Sequence, residues 1–259
     1  MTQRDDVTSP DLSSLSNLIR PADLGALPNV AAAFTTRDGG VSQPPFGSLN
    51  LGFSTGDSPE DVEENRRRVA RALGFTLNQM AIAGQVHGDT IRYVEAGGTY
   101  PRCDGLITDR RGVLLCMMAA DCASVLLADA HAGIVGACHS GWRGTVARIS
   151  AQTVGAMIER GADPARVRAY VSPCIGIERF EVGEEVAAEF APEFVDRTTY
   201  AKPHVDLKAA IRAQLIDVGV PDAQIQIDAH CTHTHADRFF SYRLENGETG
   251  RMMGVIGLR

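Results

Sequence analysis

The chain has 259 residues, 44% hydrophobic and 22% charged, with a formal net charge of -7. That length can bury one large core, and the composition is ordinary for a soluble globular protein. The acidic balance, without a Lys/Arg cluster long enough to track phosphates, argues against a nucleic-acid partner, and no apolar run is long enough to span a membrane.

Residues 1–20 are rich in Ser, Thr and Asp and predict a disordered extension. They lack the basic start and apolar stretch of a signal peptide, so a cytoplasmic protein is expected. In that reducing compartment the six cysteines read as thiols rather than a disulfide framework. Residues 21–259 carry no repeat and no linker, which predicts a single domain. Ser58 caps a helix that opens with Pro59, Glu60 and Asp61, acids that favour its positive end. Val62, Val69 and Leu73 share one face of it, the Arg66–Arg68 run reads as a solvated face, and Gly74 stops it. Strands are expected at 79–84, 90–95, 113–119, 123–128, 133–138, 167–172, 224–229 and 252–258. The runs 113–119 and 123–128 are apolar throughout, as in strands covered on both faces. Cys116 and Cys138 fall in apolar runs and read as core. A second helix follows Gly144, with Val146, Ile149, Thr153, Val154, Met157 and Ile158 at helical spacing until Gly161. A third runs from Asp206 to Val218, with Leu207, Ala210, Ile211 and Leu215 inward. The alternation predicts a layered α/β or α+β domain.

Three segments end predicted strands with metal-capable side chains: Gln85-Val86-His87-Gly88, Ala120-Asp121-Cys122 and Cys138-His139-Ser140-Gly141. Two imidazoles and a thiolate suit a zinc ion and leave one tetrahedral position open. The spacing of 35 and then 17 residues is too wide for a zinc finger and requires assembly by the tertiary fold. Each candidate lies beside Gly, Ser or Asp rather than inside an apolar run. Without a metal, His87 or His139 can deprotonate Cys122 as in a Cys–His hydrolase. The residues alone do not choose between ligand and nucleophile.

Other candidates surround these three. Gly141 and Gly144 precede a predicted helix start, a place for an anion, and Arg143 adds a fork suited to phosphate or carboxylate. Arg37, at a strand end before Asp38-Gly39-Gly40, is expected to clamp phosphate or substrate. Ser48 and Asn50 lie in a neutral polar loop able to hydrogen-bond a ribose or base. Asp104 reads equally as a turn residue or as a side chain pointing into the site. His233 and His235 would share a face in a regular strand, but the run His230–His235 ahead of Ala236-Asp237 looks like a strand end fading into a loop.

FTTRDGG (34–40), SLNLG (48–52), ENR (64–66), QVHG (85–88), DGLIT (104–108), ADC (120–122), HSGWRG (139–144), SPCIG (172–176) and FFSYR (239–243) together resemble the laccase-domain family. That family is also called multicopper polyphenol oxidase-like or purine nucleoside phosphorylase. The resemblance runs from about residue 30 to the C-terminus. It implies mixed sheets flanked by helices, as in the cytotoxic necrotizing factor type of deamidase, and metal positions falling on His87, Cys122 and His139. The Cys231-Thr232 loop aligns with one that carries no family ligand. Arg179 and Phe180 stand where the family often has Cys and Tyr, and Ile211 where it often has Asn. These departures leave the three-ligand motif untouched and bear on substrate detail.

The implied reaction is phosphorolysis of adenosine, inosine and methylthioadenosine to free base and ribose 1-phosphate, with some adenosine deamination. Its partners are a nucleoside and phosphate, and a monomer is expected. Copper can take the same ligands, so copper-dependent phenol oxidation is an alternative. Multicopper chemistry, however, needs many more histidines than three donors supply. A Cys–His editing hydrolase of cell-wall precursors is the other alternative.

Overall fold

The computed structural model describes residues 17–259. Two mixed sheets carry the fold. The first runs in the order β1 (Val30–Phe34), β13 (Met252–Leu258), β6 (Leu114–Ala119), β2 (Met80–Gly84), β4 (Gly98–Pro101). The second runs β12 (Ile225–Ile227), β9 (Arg168–Val171), β7 (Ala123–Asp129), β8 (Ile134–Ser140), β5 (Gly105–Thr108), β3 (Ile91–Tyr93). A two-residue pair, β10 (Val195–Asp196) and β11 (His204–Val205), stands apart from both. The helices are α1 (Ala22–Gly25), α2 (Pro59–Ala72), α3 (Trp142–Val146), α4 (Ile149–Ile158), α5 (Glu184–Ala187) and α6 (Leu207–Asp217).

Strand periodicity explains the layering. On β6, Leu115 and Met117 face the space between the sheets, where they meet Leu126 and Ala128 of β7, Ala137 of β8 and Ile256 of β13. Leu114 and Cys116 point the other way, against Val69 and Ala70 of α2. On β7, Val125 and Leu127 turn outward onto Ile149, Val154 and Met157 of α4 and Ile211 and Leu215 of α6. The order of layers is therefore helix, sheet, sheet, helices, and the unbroken apolar runs at 113–119 and 123–128 follow from it. Each fully buried Leu or Met is worth about 1.5–3 kcal/mol. These strands hold their place without help from any bound group.

Local chemistry sets the element ends. Ser58 Oγ accepts the Asp61 N–H, the expected cap, and Asp206, expected as the first residue of its helix, instead caps it by accepting the Ala209 N–H. The helix expected from residue 145 onward is two helices instead. Arg148 adopts a left-handed conformation, with φ of 60°, and separates α3 from α4. The strand expected at 90–95 shortens to Ile91–Tyr93, and a 3-10 turn at Asp222–Gln224 takes the start of the one expected at 224–229. Strand β4 has no apolar alternation, since it is a largely exposed edge, and pattern alone does not reveal it.

Of the extension expected over 1–20, residues 1–16 lie outside the described residues. Leu18 and Ile19 belong to the fold: Leu18 is buried, and Ile19 exchanges backbone hydrogen bonds of 2.9 and 2.8 Å with Phe34. Among the described residues no helix is long and apolar enough to cross a membrane.

Candidate metal centre and its pocket

The chain passes from the first sheet to the second through Ala120-Asp121-Cys122, between β6 and β7. Asp121 makes that turn at a φ of 84°. Its carboxylate fixes the conformation: Oδ1 accepts the Thr232 hydroxyl at 2.6 Å and Oδ2 the Arg243 N–H at 2.7 Å. Cys122 is thereby aimed at the end of β8. His139 lies within β8, paired with Ser124, rather than beyond the strand as its sequence suggests, because pairing continues to Ser140. His87 follows β2 in a tight loop at a φ of 59°. The donor atoms of His87, Cys122 and His139 all lie within 4.8 Å of one another, a group able to hold a metal ion. The two imidazoles meet edge to face, 4.8 Å between centroids.

Asp104 organises this group from behind. It is fully buried. Oδ1 accepts from His139 Nδ1 at 2.9 Å and from the His87 N–H at 3.0 Å; Oδ2 accepts the N–H groups of Val86 at 3.0 Å and Gly88 at 2.8 Å. One carboxylate thus shapes the His87 loop and leaves His139 Nε2 for the centre. Between turn residue and site residue, the structure makes Asp104 a support for both histidines rather than a substrate contact. Gly141 closes the group: a Cβ there would meet Cys122 Sγ at 2.6 Å.

The thiols differ by their neighbours. Burial pushes Cys138 up to about 11, with little to oppose it. Burial also pushes Cys122 up, but the His139 charge and the hydrogen bonds from both histidines outweigh it and bring the thiol down to about 6. Burial would depress His139, yet the Cys122 thiolate and Asp104 raise it to about 9. The two groups thus favour thiolate and imidazolium in each other's presence around neutral pH. In that window a metal finds the thiolate ready and must displace the His139 proton. Zinc titration in buffers of different ionisation heat is expected to show about one proton released from this pair. On acidification, once Cys122 also takes up its proton, a second proton is released on binding and affinity falls more steeply. No proton release from the pair across that window would contradict the assignment.

The three donors open into a cavity of about 490 Å³. Met118, Trp142, Ile175, Phe180, Leu207 and Tyr242 give it apolar and aromatic walls, and Arg143, Arg243 and Arg251 give it positive charge. Gln85 joins its edge to β6 through Met118, its amide bonding the Met118 C=O and N–H at 2.8 Å each. Arg143 is thus beside the centre as expected, its guanidinium 4.2 Å over the Trp142 ring. Of the departures from the family pattern, Phe180 reaches the cavity wall, whereas Ile211 is buried between α6 and the second sheet.

Arg37, Ser48 and Asn50 do not line this cavity. The Arg37 fork is spent on Gly47 O at 3.2 Å, Ala236 O at 2.6 Å and Glu245 Oε1 at 3.4 Å, and its guanidinium lies 4.6 Å over Phe240. Each of the three nitrogens expected to clamp an anion is thus already engaged within the protein. Ser48 Oγ donates to Arg37 O and accepts from Gly40 N–H. Asn50 is buried and bonds Thr55, Asp57 and the N–H groups of Gly52 and Arg251. Arg37→Ala is accordingly expected to lower stability by about 2 kcal/mol and to leave the dependence of rate on phosphate unchanged. A raised phosphate requirement in a stable Arg37→Ala protein would return the residue to the site.

Sequence reasoning missed Trp142, Phe180 and Arg251 as pocket residues. Tyr242 and Arg243 had a signal in the FFSYR word. Arg251, a lone charge ahead of an apolar strand, had none.

Among the described residues, the His230–His235 run does not gather three converging donors. It turns after the isolated bridge of Cys231 with Cys174, and His235 Nδ1 bonds the Cys231 carbonyl at 3.0 Å. His230 lies between Asp228 at 2.7 Å and Arg238 at 2.8 Å. Among the described residues, only His87, Cys122 and His139 converge as three donors. Replacing both His233 and His235 with Asn is expected to preserve tightly held metal, measured after chelation and repurification, and nucleoside turnover. Losing one ion and activity together would place the chemistry at these histidines.

Two stacked mixed sheets with a His–Cys–His group at the crossing between them define a layered α/β protein with a candidate metal centre. The chain belongs to the multi-copper polyphenol oxidoreductase laccase family, whose model matches residues 31–259. It is 46% identical over 236 residues to a Deinococcus radiodurans protein named purine nucleoside phosphorylase, covering 89% of this chain and 91% of that one. A Streptomyces griseus protein of the same name is 41% identical over 233 residues, covering 87% and 93%. The crystal structure of YlmD from Geobacillus stearothermophilus superposes with a TM-score of 0.86 at 33% identity, covering 94% of this chain and 96% of that one.

Proposed function

We propose that the protein is a zinc-dependent purine nucleoside phosphorylase acting on adenosine, inosine and methylthioadenosine, with adenosine deamination as a side reaction, working as a cytoplasmic monomer. The observation that carries this reading is one cavity that combines three convergent metal donors with aromatic walls and arginines. The names of the relatives support it. Two imidazoles and a thiolate fit zinc, and the bare Gly141 leaves the thiolate room beside them. Bound there, zinc would supply Lewis acidity at the end of the cavity.

The chain's own residues do the rest. Asp104 holds His87 and His139 in place. Trp142, Phe180 and Tyr242 offer flat apolar surface to a purine, and Arg143 offers a fork to an anionic or polar group. In the reaction a phosphate oxygen bonds to the ribose C1′. The C1′–N9 bond breaks, its electron pair leaves with the base, and the base takes up a proton.

Incubating zinc-loaded protein with adenosine, with and without phosphate, tests the reading. Adenine and ribose 1-phosphate are expected only with phosphate, and a smaller yield of inosine in both. Unchanged adenosine would overturn the assignment. The lowered Cys122 thiol beside a charged His139 favours one second reading, a Cys–His hydrolase of cell-wall precursors. That reading requires amide cleavage to survive complete removal of metal. Phenol oxidation by several coppers, which the family's description names, needs more ligands than the single three-donor group among the described residues offers.

A further inference from the structure

We infer that Arg251, with Arg243 beside it, forms a subsite for inorganic phosphate, and that Asn50 and Gly52 act as positioning residues for Arg251. The inference rests on the phosphorolytic reading above. Three arginines line the cavity, and among the described residues none of them pairs with a carboxylate. Arg67, Arg68, Arg110 and Arg212, by contrast, all sit on acids. The one carboxylate on the cavity wall, Asp121, has both oxygens occupied by Thr232 and the Arg243 N–H. Three arginines against one carboxylate and the Cys122 thiol leave the cavity positive in a chain of net charge -7, which suits an anionic ligand.

Two of the three are prepared for it. Arg251 is half-buried and donates only through Nη1, to Thr249 O at 2.8 Å and Gly250 O at 2.9 Å. Arg243 likewise donates only through Nη1, to Glu181 O at 3.0 Å. Each keeps Nε and Nη2, the edge that grips two oxygens of a tetrahedral oxyanion. Both backbones are anchored near the centre. The Arg243 N–H is held by Asp121, the residue before Cys122. The Arg251 N–H is held by Asn50 Oδ1 at 2.8 Å, and its carbonyl accepts the Leu51 N–H at 3.0 Å. Gly52 leaves space for the Arg251 stem: a Cβ there would come within 2.7 Å of Arg251 Cγ. Asn65 in turn binds the Asn50 and Ser48 carbonyls at 2.9 and 3.2 Å. The SLNLG and ENR words, which supply nothing to the cavity wall as far as Gly52, thus converge on the placement of one arginine.

The test measures inorganic phosphate binding to zinc-loaded protein by calorimetry without nucleoside, alongside the Michaelis constants for phosphate and adenosine. Arg251→Gln is expected to weaken phosphate binding about tenfold or more, and Arg243→Gln by less. Arg251→Lys, which keeps the charge but loses the fork, should fall between the parent and Arg251→Gln; it also covers the case where the Gln variant fails to fold. Gly52→Ala should raise the phosphate constant while leaving that for adenosine near parental, a split that general destabilisation would not give. The surface variant Arg212→Gln should bind phosphate as the parent does. Parental phosphate affinity in Arg251→Gln and Arg243→Gln, with phosphorolysis intact, would overturn the subsite and leave the reaction standing. Arginine-dependent phosphate binding without any ribose 1-phosphate would uphold the subsite and sink the phosphorylase reading.

Discussion

Cys122→Ala is expected to abolish nucleoside turnover and to leave the protein without tightly held metal, while its fold and thermal midpoint stay near parental. Two imidazoles alone make an incomplete shell for zinc, and the thiolate is the donor whose charge matches the ion. The fold has little at stake there. Cys122 sits in the turn between β6 and β7, and both strands are fixed by apolar side chains on two faces. Truncation removes only Sγ, beside a glycine that already leaves space around it. Metal content read together with turnover separates the two roles left open by the residue type. Loss of both marks a ligand. A retained ion with turnover gone marks a nucleophile, and a fully loaded, fully active variant would remove Cys122 from the site.

The three candidate donors that the fold brings together could be read from the chain because each stands in a short polar or glycine-rich word at the edge of an apolar run. Their supports could not. Arg37 resembles an anion clamp in sequence, a basic residue before Asp-Gly-Gly. Two of its three acceptors, Ala236 and Glu245, lie 199 and 208 residues further along, where no local pattern points. Arg251 is the converse case. Its place on the cavity wall depends on Asn50, 201 residues away, so nothing around it marks it. Helix ends were legible where a cap did the work, at Ser58 and Asp206. The break at Arg148 was not, because the apolar spacing runs straight through a residue that the fold turns left-handed. Edge strand β4 was hidden for a simpler reason: an exposed strand carries no hydrophobic period.

Asp104→Asn is expected to weaken metal binding about 10–100-fold and to destabilise the protein by about 2–5 kcal/mol. The carboxylate faces four donors and nothing else: the N–H groups of Val86 and Gly88 on Oδ2, and the His87 N–H and His139 Nδ1 on Oδ1. An amide has one oxygen to offer. Whichever way Asn turns, its NH₂ confronts two buried donors, and either the His87 loop or the His139 ring loses its anchor. Burial pushes the Asp104 carboxyl up, but the hydrogen bonds from His139, Val86 and Gly88 outweigh it and hold it below the ordinary range. A depressed carboxyl stabilises the fold above the unfolded value of about 3.9, and that contribution is lost as pH falls through the folded value. The stability gap between parent and Asp104→Asn should therefore be full at neutral pH and should narrow on acidification below about pH 4. Chelator competition gives the metal affinity, and denaturant unfolding of metal-free protein at several pH values gives the gap. A variant that keeps parental zinc affinity, or a gap that widens in acid, would show that the His87 loop and His139 are held by something other than this carboxylate.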